Sequence, residues 1–150
     1  MIRVLGCASI MLFLTGTVAL SQSADLTVAG GHCAVFRIGN ANHGCGKLLY
    51  THFPNGRTGF NIPTSSGAIM LSGGRDSQPT LTTYHLEIDT LRLGSADGTS
   101  RALPANGRCT ARLSADGAYL HGLVCRAHSG TTPIVVQFVG DGRRVSVSKL

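Results

Sequence analysis

The sequence predicts one all-β domain, a small antiparallel sandwich or barrel of about eight or nine strands with two disulfides. Three observations lead there. Beyond residue 23 no stretch keeps a helical period, while period-two alternation recurs between turn dipeptides. Glycine is abundant, at 20 residues, and tryptophan is absent, a composition that suits short strands and many turns. Cys33, Cys45, Cys109 and Cys125 form an even set outside the N-terminal segment, which fits a disulfide framework in an exported chain.

Residues 1–23 are expected to be a cleaved secretory signal. Arg3 supplies the positive end, and the run from Val4 to about Leu20 carries no charge. Small residues follow, as signal cleavage requires. The run is barely long enough to cross a bilayer, and no basic cluster follows to retain it as an anchor. Val4-Leu5-Gly6-Cys7 spells a lipoprotein box but lacks the apolar segment before it, so Cys7 leaves with the signal. The mature domain is then 24–150, in the periplasm or outside the cell, with no transmembrane segment after cleavage.

The first clear hairpin is KLLYTHF-PNG-RTGFNIP, Lys47 to Pro63. Taking Asn55-Gly56 as a two-residue turn sets Phe53 opposite Thr58, Thr51 opposite Phe60 and Leu49 opposite Ile62. Leu49, Phe53, Phe60 and Ile62 then share the buried face. Ala68 to Ser72 is a short apolar strand. Gly73 to Pro79, GGRDSQP, reads as a polar flexible loop. Thr80 to Asp89 alternates, with Tyr84, Leu86 and Ile88 on one face and His85, Glu87 and Asp89 on the other. The apolar phase then slips to Leu91 and Leu93, which marks a bulge or corner. Gly94 to Asn106 reads as loop. The last strand pair is Pro133 to Val139 with Arg144 to Ser148, joined through Gly140-Asp141-Gly142.

Between Gly107 and Ala127 the chain is symmetric about Gly117. Folding there sets Cys109 opposite Cys125, Ala111 opposite Leu123 and Leu113 opposite His121, turning His121 inward. Opposed residues of a non-hydrogen-bonded pair lie close enough for a disulfide. The expected pairs are therefore Cys109–Cys125 and Cys33–Cys45, each contributing roughly 3 kcal/mol through the closed loop. SADG occurs at Ser95–Gly98 and again at Ser114–Gly117. The flanks of the two copies do not align, so they read as two turns rather than a repeat.

The candidate site residues are basic. The outer face of the cysteine hairpin carries Arg108, Arg112 and Arg126, with Arg108 directly across from Arg126. Like charges in that position repel unless an anion, or an Asp or Glu of a neighbouring strand, relieves them. A solvated basic face is the ordinary reading and a partner-binding face the sharper one. Arg75 and Asp76, in the glycine-flanked loop, are the second candidate, since amides beside glycine with an arginine can cradle an anion. His32, Cys33, His43 and Cys45 match no zinc spacing, and export favours oxidised cysteines. His85, Glu87 and Asp89 look like the wet face of a strand. No G-x-S-x-G occurs, and Ser146-Val147-Ser148-Lys149 stands without the companions of an S-x-x-K enzyme. Scarce aromatics argue against nucleic acid.

SADGAY, Ser114 to Tyr119, resembles the serine–glycine–tyrosine loop of small periplasmic lysozyme inhibitors, which are disulfide-bearing β-barrels. The resemblance covers these six residues with the spacing changed by one. No lysine-bearing second loop accompanies it, so no residue role is transferred.

The net charge of +6 points to anionic partners. The expected function is an exported, non-enzymatic binding or interaction domain. Its partner would be an anionic polysaccharide, a lipid headgroup or an acidic protein, and no cofactor, metal or catalytic residue is assigned. The alternatives are an inhibitor of a cell-wall hydrolase and a histidine-centred metal enzyme or hydrolase.

Overall fold

The computed structural model describes residues 24–150. The expected signal segment, 1–23, lies outside the described residues. Eleven strands follow in order: β1 Asp25–Ile38, β2 Ala41–Asn42, β3 Lys47–His52, β4 Thr58–Thr64, β5 Gly67–Gly73, β6 Arg75–Thr80, β7 Thr83–Ser95, β8 Ser100–Leu113, β9 Leu120–Ser129, β10 Thr132–Gly140 and β11 Ser146–Lys149. Eight of them close an antiparallel barrel in the order β1-β3-β4-β5-β7-β8-β9-β10, with β10 returning to β1. Within the barrel each strand pairs with the next barrel strand along the chain, because short glycine-bearing turns leave no length for a crossover. No helix among the described residues is long and apolar enough to cross a membrane.

Alternation dictates the core. Leu86, Cys109, Ala111, Leu123, Cys125, Ile134, Val136 and Phe138 point inward and are buried, while Arg108, Val124 and Arg126 between them face out. An eight-stranded barrel has an interior just wide enough to be filled by such side chains or to hold one small ligand. The slip expected after Ile88 is a bulge in the β7–β8 ladder between Ile88 and Thr90.

Both expected disulfides are present. Cys109 and Cys125 are direct cross-strand partners with Cα atoms 4.0 Å apart, wholly buried in the barrel. Cys33–Cys45 staples β1 to the segment between β2 and β3, where the ladder is irregular. Ala111 stands opposite Leu123 and Arg108 opposite Arg126, as expected. Beyond Arg112 the register shifts, and Leu113 meets Leu120 rather than His121. Leu120 is therefore the buried residue, and His121 points to solvent.

Four further expectations are corrected. The Pro54-Asn55-Gly56 turn has three residues, closed by Phe53 N–H to Arg57 O at 2.8 Å, with Gly56 at φ +82°. Proline favours the second position of a type I turn, and glycine then takes the left-handed position after it. Thr51 accordingly meets Gly59, and Leu49 meets Asn61. Leu48 and Tyr50, rather than Leu49 and Phe53, share the inside with Phe60 and Ile62. Gly94–Asn106 is turn only near Asp97, and the rest is strand. Gly73–Pro79 is also mostly strand: β6 continues β5 along β7 beyond a kink. A Cβ on Gly73 would lie 1.7 Å from Glu87 O, so the kink needs glycine. Finally, β11 pairs with Asp25–Val28 of β1, not with β10. It takes the stretch of β1 that β10 leaves free.

Candidate functional site

Backbone register brings three of the four predicted arginines, Arg75, Arg108 and Arg126, into a row that the unpredicted Arg37 extends. Arg75 on β6 stands opposite Glu87 on β7, Glu87 opposite Arg108 on β8, and Arg108 opposite Arg126 on β9. The row continues through Val135 on β10 to Arg37 on β1. All four arginines are exposed. Glu87 Oε1 accepts from Arg108 Nε at 2.7 Å and from its Nη2, which relieves the Arg108–Arg126 repulsion from a neighbouring strand. Among the described residues Arg37, Arg75 and Arg126 form no ion pair. Arg112 is not in this row. It lies one turn of alternation beyond Thr110, beside His121, at a shallow depression over Gly122.

Arg75 and Asp76 do not act together, because adjacent strand residues face opposite ways. Arg75 faces out with the row. Asp76 faces the open end of the barrel, where its Oδ2 accepts from the Tyr84 hydroxyl at 2.8 Å. The histidine and carboxylate groups noted in the sequence are engaged locally. His85 Nδ1 pairs with Thr110 Oγ1 at 3.0 Å, and the Arg57 guanidinium binds Asp89. That ion pair, more than any other effect, holds the Asp89 carboxyl below its ordinary range. His43 packs against Phe36 with ring centroids 5.1 Å apart, and its neighbouring cysteine is oxidised. Among the described residues no group of three or more His, Cys, Asp or Glu side chains is placed to hold a metal ion.

Both SADG segments are turns of one design. Asp97 Oδ1 accepts from the Thr99 N–H at 2.9 Å, and Asp116 Oδ1 accepts from the Ala118 N–H at 3.0 Å. Each Asp carries its following glycine at positive φ. Ser114 donates to Asp116 and accepts from the Tyr119 N–H, so its hydroxyl is committed to the turn.

The end of the barrel that carries the turns 53–57, 80–83 and 114–119 holds a feature that strand patterns do not reveal. Past Gly73 the chain leaves β4 and follows β7 alone, so the wall opens between β4 and β6. A cavity of about 250 Å³ lies there, walled by Ala29, Leu48, Phe60, Ala111, Leu113 and Leu120, with Tyr50 and Tyr84 at its polar side. Tyr84 Oη is 3.1 Å from Tyr50 Oη and 3.1 Å from the buried Thr58 Oγ1. The two tyrosine rings meet edge to face at 5.6 Å, a favoured aromatic geometry. Burial is the main cause that pushes both phenols above the ordinary value, and the Asp76 carboxylate adds to it. Tyr84 was legible as inward-facing from alternation, whereas Tyr50 was hidden by the register error in its hairpin.

These features define a disulfide-stapled, eight-stranded antiparallel barrel with a basic girdle outside and an apolar cavity at one mouth. In comparisons with known proteins no family model matches the chain, and neither a curated protein nor a solved structure matches it significantly.

Proposed function

We propose that the protein is an exported, non-enzymatic binding domain whose outer arginine row holds an extended polyanion, most simply an acidic polysaccharide. The row itself carries the reading. It runs over six neighbouring strands, from β6 to β1, and so passes round more than half of an eight-stranded barrel. A lipid headgroup or a compact acidic protein can touch only part of such a girdle. A flexible polymer with charges along its length can follow it. Among the described residues three of the four arginines form no ion pair, which supports the same reading. Two disulfides suit the oxidising compartment that export implies.

The test uses polygalacturonate as probe. Replacing Arg37, Arg75 and Arg126 with Gln is expected to weaken binding and flatten its dependence on salt, because charge attraction is screened within about 8 Å at physiological ionic strength. Replacing Arg92, Arg101 and Arg143 instead removes equal charge off the row and is expected to leave most of the affinity. Equal losses in the two variants would reduce the row to part of a general positive charge. An unchanged salt slope in the first would refute the proposal.

A further inference from the structure

We propose that the barrel mouth binds a small uncharged molecule with an apolar body and one hydrogen-bond donor, which pairs with the Tyr50 phenol oxygen. The space sets the size. The cavity is about 250 Å³, and a dry apolar cavity of about 150 Å³ already accommodates benzene. The walls set the body, being aliphatic and aromatic around most of the lining. Among the described residues no Lys, Arg or His lines it.

The order of protons sets the polar group. An ionised carboxylate only accepts, so Tyr84 donates its single hydrogen to Asp76. The Tyr84 oxygen must then accept from both Tyr50 and Thr58. Tyr50, a residue of the cavity lining, thereby spends its only hydrogen on Tyr84, and its oxygen keeps acceptor capacity. The Gln78 amide nitrogen, also at the lining, is engaged by the Leu81 carbonyl at 3.2 Å. A guest with an N–H or O–H meets an acceptor at Tyr50. A guest carboxylate would meet that same lone pair with the Asp76 charge behind it, and is disfavoured twice. The interior therefore selects against the charge type that the outer face attracts.

Titration calorimetry with three probes tests this: indole, which has the donor; indene, of the same shape without it; and benzoate, which is anionic. Wild type is expected to bind indole about three- to tenfold more tightly than indene, the range of one net hydrogen bond, and benzoate least. Tyr50→Phe keeps the ring and is expected to bring indole to the affinity of indene while leaving indene unchanged. Leu113→Trp fills the mouth and is expected to abolish binding of both neutral probes, with Ala29→Leu on another wall giving the same readout if the first variant does not fold. Equal binding of indole and indene by wild type, tighter binding of benzoate, binding of none of the three, or indole affinity untouched by the filling variants would each overturn the proposal.

Discussion

The two disulfides close loops of similar length and sit in different surroundings, and that contrast can be measured. Their sequence separations are 12 and 16 residues. Loop-closure entropy for spans of this size gives about 3 kcal/mol for each bridge. Cys109 and Cys125 are also fully buried, so Cys109→Ala with Cys125→Ala removes two packed sulfurs from the core. The resulting void adds about 1–2 kcal/mol to the loss. Cys33 and Cys45 are only partly buried, and their double alanine variant should lose little beyond the loop term. Denaturant titration should therefore show a loss of about 3 kcal/mol for the outer pair, or about 10 °C in Tm, and a larger loss for the inner pair. Reduction kinetics give a second reading. A thiolate must reach a sulfur to open the bond. Native protein treated with dithiothreitol, alkylated and digested should show Cys33–Cys45 open first, with Cys109–Cys125 opening only as the barrel unfolds. Equal rates for both bridges without denaturant, or the larger loss falling on the outer pair, would refute the reasoning from burial.

Two other outcomes follow from the same structure. Gly73→Ala should cost more than about 2 kcal/mol, since overpacking against backbone cannot relax cheaply, whereas Gly74→Ala, whose nearest neighbour is an Arg57 nitrogen at 3.6 Å, should stay within about 0.5 kcal/mol; equal chemical melts for the two would show that β5 and β6 do not need the kink. Alkaline stability should fall above the ordinary phenol range: the unfolded chain releases the Tyr50 and Tyr84 protons near pH 10, the folded chain holds them, and the advantage is full below about pH 10 and lost as pH rises through the folded values. Urea titrations at stepped pH should show this decline softened in Tyr50→Phe with Tyr84→Phe, and an identical decline in that variant would remove the tyrosine pair as its cause.

The fold was legible wherever a strand had one wet face. In β7 and β9 the inward and outward residues differ sharply, so alternation located Leu86, Ile88, Leu123 and Cys125, and symmetry about Gly117 located the disulfide. The pattern fails on β1, where Gly30-Gly31 and a half-buried run blur it, and on β6, whose residues are all exposed. A strand of exposed polar residues looks like a loop because pairing with β7, not burial, makes it a strand. The two register errors share one cause. Each is one uncounted residue: Pro54 makes Gly56 the third turn residue rather than the second, and the β8–β9 ladder shifts between Arg112 and Leu113 rather than running symmetrically to Gly117. Side chains alternate with a period of two, so one residue of slip exchanged Tyr50 for Leu49 and Leu120 for His121.

The arginines show what such a register decides. Arg108 facing Arg126 followed from the hairpin alone, because both lie within one symmetric segment. Arg37 and Arg75 could not be added to them by sequence, since their alignment depends on β10 closing onto β1 and on β6 pairing with β7. The mouth cavity is one step further removed. Tyr50, Thr58, Asp76 and Tyr84 come from four strands and meet only after the barrel has closed and β5 has bent away from β4 at Gly73. Each is unremarkable in its own segment: a tyrosine beside apolar residues, a threonine after a turn, an aspartate in a polar stretch. Proton counting gives them a direction only when all four are in place. Asp76 fixes Tyr84 as donor, Tyr84 fixes Tyr50 as donor, and the remaining lone pair is what a guest would encounter. A polar side chain in a small barrel is thus assigned its chemistry by the far end of its hydrogen-bond chain, here an exposed carboxylate on a strand that burial patterns hide.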